Sequence, residues 1–156
     1  MTVPEHMAHQ TERVAASLAN FIATTPEDRL NWKPEFSGAV GLRSVLEQIS
    51  ECAGVNRLIA RVLRGETVTG SYEETVFADG AEAQALLIAS AKELTNAISA
   101  LSDADLTRVF NHPRAQIPGE NLIMMGYRNM TYHAGQINLY QMLLGDAEFH
   151  LPPTWR

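Results

Sequence analysis

Four stretches of this chain, each roughly 20 to 25 residues long, place apolar side chains at helical spacing. Each is bounded by a capping signal, a proline or a glycine. The first runs from Pro4 to Thr24, with Met7, Val14, Leu18, Phe21 and Ile22 on one stripe and Pro26 as its stop. Thr2 and Glu5 stand at capping-box spacing before it. The second runs from Gly41 to Arg64 and stops at Gly65; the third starts at Asp79, three residues before Glu82, and continues to Leu101; the fourth runs from Glu120 to Leu144 and stops at Gly145. Ser102 to Asp105 reads as one short turn. Thr67-Val68-Thr69 is extended in character but has no partner, and Asn111 to Gly119, with Pro113 and Pro118, reads as a loop. The expected fold is therefore all-α: a four-helix bundle, one domain over residues 1–156, with long connecting loops. Loops of that length can each cross the bundle, so the directions of the helices stay open.

Composition narrows the function. The 156 residues are 46% hydrophobic, enough for a real core, and no run is apolar enough to span a membrane. MTVPEHMAHQ at the start lacks the basic and apolar regions of a secretion signal, so a cytoplasmic protein is expected. A net charge of −6 argues against nucleic-acid binding. Cys52 is the single cysteine, which excludes an internal disulfide and a thiolate-rich zinc site. The five histidines are His6, His9, His112, His133 and His150, and no two are four apart. His6 and His9 fall off the apolar stripe. His112 and His150 lie in irregular segments, where surface positions are expected.

Two helices carry polar residues where a core is expected. On the second, Ser44, Gln48, Glu51 and Asn56 interrupt a wide apolar arc. On the fourth, Asn129, His133, Gln136 and Tyr140 follow at spacings of four, three and four and form one polar seam. Such a seam is either a buried hydrogen-bond network or an interhelical site. Carboxylate oxygen, amide oxygen and imidazole nitrogen from Glu51, Asn129 and His133 form an acceptable ligand set for a transition metal, and three protein ligands leave a position open.

The segments SVLEQISECAGV (residues 44–55) and Tyr132-His133-Ala134-Gly135-Gln136-Ile137, then Leu143-Leu144-Gly145-Asp146, resemble the DinB/YfiT-like superfamily, as does the Asn31-Trp32-Lys33-Pro34 loop. The resemblance implies a four-helix bundle, often dimeric, with three metal histidines. Some members are metal-dependent transferases that attach a low-molecular-weight thiol to electrophiles; others act on thiol conjugates or have no known activity. By resemblance His133 is the last metal histidine, Asn129 stands where the preceding one is expected, and Glu51 stands at the first. A shift of one turn would put Gln48 at that first position. Both replacements keep an oxygen donor.

Two expectations follow. In one, a divalent metal (Zn, Ni or Mn) bound by Glu51, Asn129 and His133 activates a thiol or water, with Gln48, Asn56, Gln136 and Tyr140 around the ligands or substrate. In the other, the chain is a metal-free, non-catalytic relative, a small-molecule-binding or stress-associated protein in which Glu51 and His133 form an ion pair. A homodimer is expected in either case.

Overall fold

The computed structural model describes residues 1–152 and contains four long helices and one small hairpin. Helix α1 spans Val3–Thr24, α2 Val45–Leu63, α3 Gly80–Ser99 and α4 Gly119–Leu143; strands β1 (Val109–His112) and β2 (Ala115–Pro118) lie between α3 and α4. Single 3₁₀ turns cover Glu27–Arg29 and Asp103–Leu106.

Local chemistry explains these boundaries. The Thr2 hydroxyl accepts from the Glu5 N–H while the Glu5 carboxylate accepts from the Thr2 N–H at 2.7 Å, the reciprocal pairing of a capping box. Helix α2 begins four residues later than its apolar pattern implies. Gly41 has φ +67°, outside a right-handed helix, and the cap is Ser44, paired reciprocally with Glu47. Asp79 caps α3 by accepting from the Glu82 N–H at 2.8 Å.

The segment expected as a loop, Asn111 to Gly119, contains a strand. Antiparallel pairing runs from Val109↔Pro118 to His112↔Ala115 and leaves only Pro113-Arg114 in the turn. Neither turn residue has positive φ, so the turn lacks the Asn-Gly or Asp-Gly signature from which tight hairpins are read. Pro118 sits at the end of its strand, where its missing N–H costs least. Next to it the Gly119 N–H donates to the Arg108 carbonyl at 2.8 Å.

Two apolar clusters fix the helix directions. One gathers Leu18 and Phe21 of α1, Val45 and Leu46 of α2, Leu87 of α3 and Ile137 of α4. The other gathers Ala8, Ile59, Ile98 and Leu122. The start of α1 thus meets the ends of α2 and α3 and the start of α4, so α1 and α4 run one way and α2 and α3 the other. Helices α1 and α2 each pack against both α3 and α4. The connection between the parallel pair α2 and α3 must therefore travel back along the bundle. It lies on α2: the Thr75 N–H donates to Ser50 Oγ at 2.7 Å, and a Cβ at Gly54 would stand 2.6 Å from the Glu73 carbonyl oxygen.

Two glycines of α4 report on this packing with opposite signs. A Cβ at Gly126 would lie 2.3 Å from Leu94 Cδ2 and 2.8 Å from Asn56 Oδ1, both in the core, whereas one at Gly135 meets nothing within 4 Å. Overpacking of about 1–3 kcal/mol outweighs the roughly 1 kcal/mol by which alanine favours a helix over glycine. In urea titrations, Gly126→Ala is expected to lower the unfolding midpoint and Gly135→Ala to raise it.

Candidate functional site

His133 enters the core from α4 and meets α2 edge-on; it is 3% exposed. Its Nδ1 lies 3.0 Å from Gln48 Oε1 and 3.1 Å from Gln136 Oε1. The Gln48 amide is itself oriented, because its Nε2 donates to the Arg43 carbonyl at 3.1 Å. Nδ1 thus faces two oxygen acceptors and carries the hydrogen, and the neutral ring keeps its lone pair on Nε2.

That lone pair has no hydrogen-bond partner although it is buried, and Asn129 Oδ1 is in the same condition. Nε2 lies 3.5 Å from Glu51 Oε1, and Asn129 Nδ2 lies 3.4 Å from the same oxygen. The sequence leaves Gln48 and Glu51 as alternatives for one position; in the structure they flank opposite nitrogens of a single ring. Glu51 Oε2 turns to Arg43, whose Nε is 3.3 Å away, and Arg43 Nη1 continues to Glu74 at 3.0 Å.

This donor set fits a divalent ion held weakly. Metal–ligand bonds of about 2.1 Å at a tetrahedral centre separate neighbouring donors by roughly 3.4 Å, close to the 3.5 Å between His133 Nε2 and Glu51 Oε1. Asn129 turns its amide nitrogen to Glu51 and would have to turn its oxygen inward to ligate. Gln48 and Gln136 hold the opposite ring nitrogen, as partners of metal-ligating histidines do. Only one ligand is anionic, however, and Arg43 competes for its charge. Among the described residues no three His, Cys, Asp or Glu side chains gather as a ligand group, so the amide of Asn129 has to complete the set.

Beside Glu51 and Asn129 opens a cavity of about 380 Å³. Val55, Leu58, Ile59 and Met125 give it an apolar wall; Gly70, Ser71 and Tyr72 of the α2–α3 connection cover one side; His112, Arg114 and Arg128 stand at its edge. Arg114 and Arg128 are the lining residues that sequence reasoning missed. His112, for which the sequence allows a surface position or a place over a cavity mouth, is brought here by the unforeseen hairpin. Its Nδ1 accepts from the Arg114 N–H at 3.2 Å, so in the neutral ring Nε2 bears the hydrogen. Burial, and then the charge of Arg114, hold His112 below the usual histidine range. Burial, and then Glu51, push the Tyr72 hydroxyl up, so it stays protonated at neutral pH.

The remaining candidates lie elsewhere. Asn56 is fully buried and donates to Ser90 Oγ at 3.3 Å and weakly to Met130 Sδ, joining α2, α3 and α4. Tyr140 packs edge-on against Trp32, with ring centres 5.7 Å apart. His150 pairs with Asp146 at 2.7 Å, and His6 and His9 are exposed. Cys52 is buried, and its thiol is pushed well above the ordinary range by desolvation, so it stays un-ionised.

The four-helix bundle is the fold of DinB-like proteins of known structure. The pattern that defines the DinB superfamily matches residues 10–137, and the chain belongs to that superfamily. Among solved structures it is similar to a conserved protein of Enterococcus faecalis (15% identity, 93% of this chain and 99% of that one, TM-score 0.74). It is also similar to a DinB-like protein of Bacillus subtilis (15% identity, 94% and 98% covered, TM-score 0.68). A DinB-like protein of Bacillus cereus follows, at 14% identity with 85% and 87% covered and a TM-score of 0.65. These likenesses establish the fold. No curated protein matches the chain. No helix among the described residues is long and apolar enough to cross a membrane.

His112 gives a pH prediction. Because folding lowers its pKa from 6.5, the folded state resists protonation there. The stability this represents is present above pH 6.5 and is lost as the pH falls toward the folded value. In an NMR titration His112 should ionise below 6.5. Arg114→Gln should move the midpoint up without fully restoring it, since burial is the larger cause.

Proposed function

We propose that this DinB-superfamily protein binds one divalent metal ion, zinc, nickel or manganese, through His133, Glu51 and Asn129, and accepts a small-molecule substrate in the adjoining cavity. The single observation that carries this reading is the buried, partnerless Nε2 of His133 at ligand spacing from Glu51 Oε1. A metal bound there would supply the charge that holds a thiol as thiolate or acidifies a water. The reaction class is then transfer to or hydrolysis of a small thiol or thiol conjugate. Gln48 and Gln136 fix the ring and its tautomer, Arg43 holds the second oxygen of Glu51, and the α2–α3 connection restricts water at the cavity.

A second reading has an observation of its own. Glu51 already has Arg43 at 3.3 Å and His133 at 3.5 Å as partners, so an ion pair of Glu51 with His133 stands in this reading without a metal, leaving a metal-free binding protein. Calorimetric titration of the purified protein with Zn²⁺, Ni²⁺ and Mn²⁺ separates the two. One equivalent is expected to bind. His133→Ala should abolish binding, and Gln48→Leu, which removes one of the two partners of Nδ1, should weaken it about 10-fold. No binding of any of the three ions decides for the metal-free protein.

The same reading includes a homodimer. Tyr132, Leu139, Met142 and Leu143, each more than half exposed, line the C-terminal half of α4 and give a second copy an apolar face to cover. Light scattering at micromolar concentration should give twice the 17.2 kDa chain mass, and Leu139→Glu should return the monomer.

A further inference from the structure

Arg114 and Arg128 differ from the other basic side chains of this acidic protein. Every other lysine and arginine among the described residues has an interaction partner, most of them a carboxylate within 4.0 Å. Arg114 and Arg128 have no carboxylate within salt-bridge distance among those residues. They come from distant parts of the chain, one from the hairpin turn and the other from α4, yet they line the same cavity. Eighteen Asp and Glu are available to twelve Lys and Arg, so a shortage of acids does not explain two unmatched guanidinium groups at one place.

Their neighbours have the same polarity. The His112 ring turns a donor N–H at Nε2, because its Nδ1 is engaged by the Arg114 backbone. Tyr72 adds a hydroxyl. The one acidic side chain lining the cavity is Glu51, and its outer oxygen is held by Arg43. Val55, Leu58, Ile59 and Met125 supply the apolar part of the same lining.

We propose that the cavity recognises a small organic anion: Arg114 and Arg128 grip its oxyanion group, and the apolar wall takes its uncharged body. Guanidinium forks pair with carboxylate and phosphate oxyanions alike, and the shared requirement is a negative group at one end of the molecule. The volume is at the small end of ligand cavities, which limits the body to about the size of a single ring or short chain. The inference rests on the small-molecule reading of this cavity but not on the metal. Its orientation leaves the far end of the ligand beside Glu51, Asn129 and His133.

The test uses full-length protein in EDTA, so that it is independent of metal binding, with phenylacetate, phenyl phosphate and the neutral phenylacetamide as probes in NMR titrations to about 10 mM. Phenylacetate or phenyl phosphate is expected to saturate at least 10-fold more tightly than phenylacetamide, and whichever wins identifies the oxyanion. Arg114→Gln and Arg128→Gln should each weaken the anion about 10-fold and leave phenylacetamide unchanged. Both side chains are exposed and without ion pairs, so the variants should fold as the parent does, which circular dichroism checks. Equal binding of charged and neutral probes, an affinity unchanged in the double variant, or no saturation by either anion overturns the proposal. Binding of phenylacetamide alone would keep the small-molecule cavity and reject the anion. Failure of metal titration with intact anion binding would reject only the metal.

Discussion

The architecture depends on one close approach. Because α2 and α3 run parallel, the chain between them must return along the bundle, and it does so against α2 at Gly54. A Cβ there would meet the Glu73 carbonyl at 2.6 Å and the Tyr72 side chain at 2.9 Å. Backbone cannot yield as a flexible side chain can, so any larger residue would lift the connection from the helix. Ser50, one turn earlier, anchors the same stretch through the Thr75 N–H. This contact places Gly70, Ser71 and Tyr72 over the cavity and Glu74 within reach of Arg43. The side of the cavity, the position of Arg43 and hence the charge state around Glu51 all follow from the crossover.

The second determinant is the orientation of one imidazole. A histidine buried between helices must satisfy two nitrogens, and here Gln48 and Gln136 both serve Nδ1. Nε2 is left unmatched in a place where desolvation of an unpaired polar atom costs about 1–3 kcal/mol. Folding tolerates this because the amide oxygens lock the ring from behind while Asn129 and Glu51 gather in front of it. A carboxylate 3.5 Å from Nε2 is the group that either a proton or a bound cation would link to the ring.

Much of this was legible in the sequence. The four helices, the Thr2 and Asp79 caps and the short turn after α3 follow from apolar spacing and capping chemistry. So does the shared face of Asn129 and His133, since residues one turn apart on an apolar helix face a common neighbour; Tyr140, read into the same seam, packs against Trp32 instead. What stayed hidden depends on three-dimensional closure. The hairpin has a Pro-Arg turn with negative φ, which no short-range signal marks, so His112 and Arg114 could not be brought to the cavity by reading along the chain. Glycine and serine at 41 and 44 look alike in a hydrophobic pattern, so the start of α2 was set by backbone conformation and not by periodicity. Asn56 interrupts the same wide apolar arc as Glu51, but five residues at about 100° each turn it roughly 140° away, among Ser90 and Met130 instead.

Net charge illustrates how a property of the whole chain and one of a site can diverge. A total of −6 disfavours a long polyanion, whose binding needs many cations spread over one face. It has little bearing on a small ligand, because at physiological ionic strength charges on the surface are screened beyond about 8 Å. The groups that line the cavity are two guanidiniums with no carboxylate partner among the described residues, a histidine kept neutral by burial and by one of those guanidiniums, a tyrosine kept protonated, and Glu51, whose outer oxygen is held by Arg43. Pairing elsewhere sharpens the contrast: Lys33 is matched one-to-one by Glu47, and Arg61 and Arg64 both lie against Glu66, which offsets part of their charge. Arg114 of the hairpin and Arg128 of α4 line one cavity together with apolar residues, and an apolar lining strengthens the attraction of such cations for an anion.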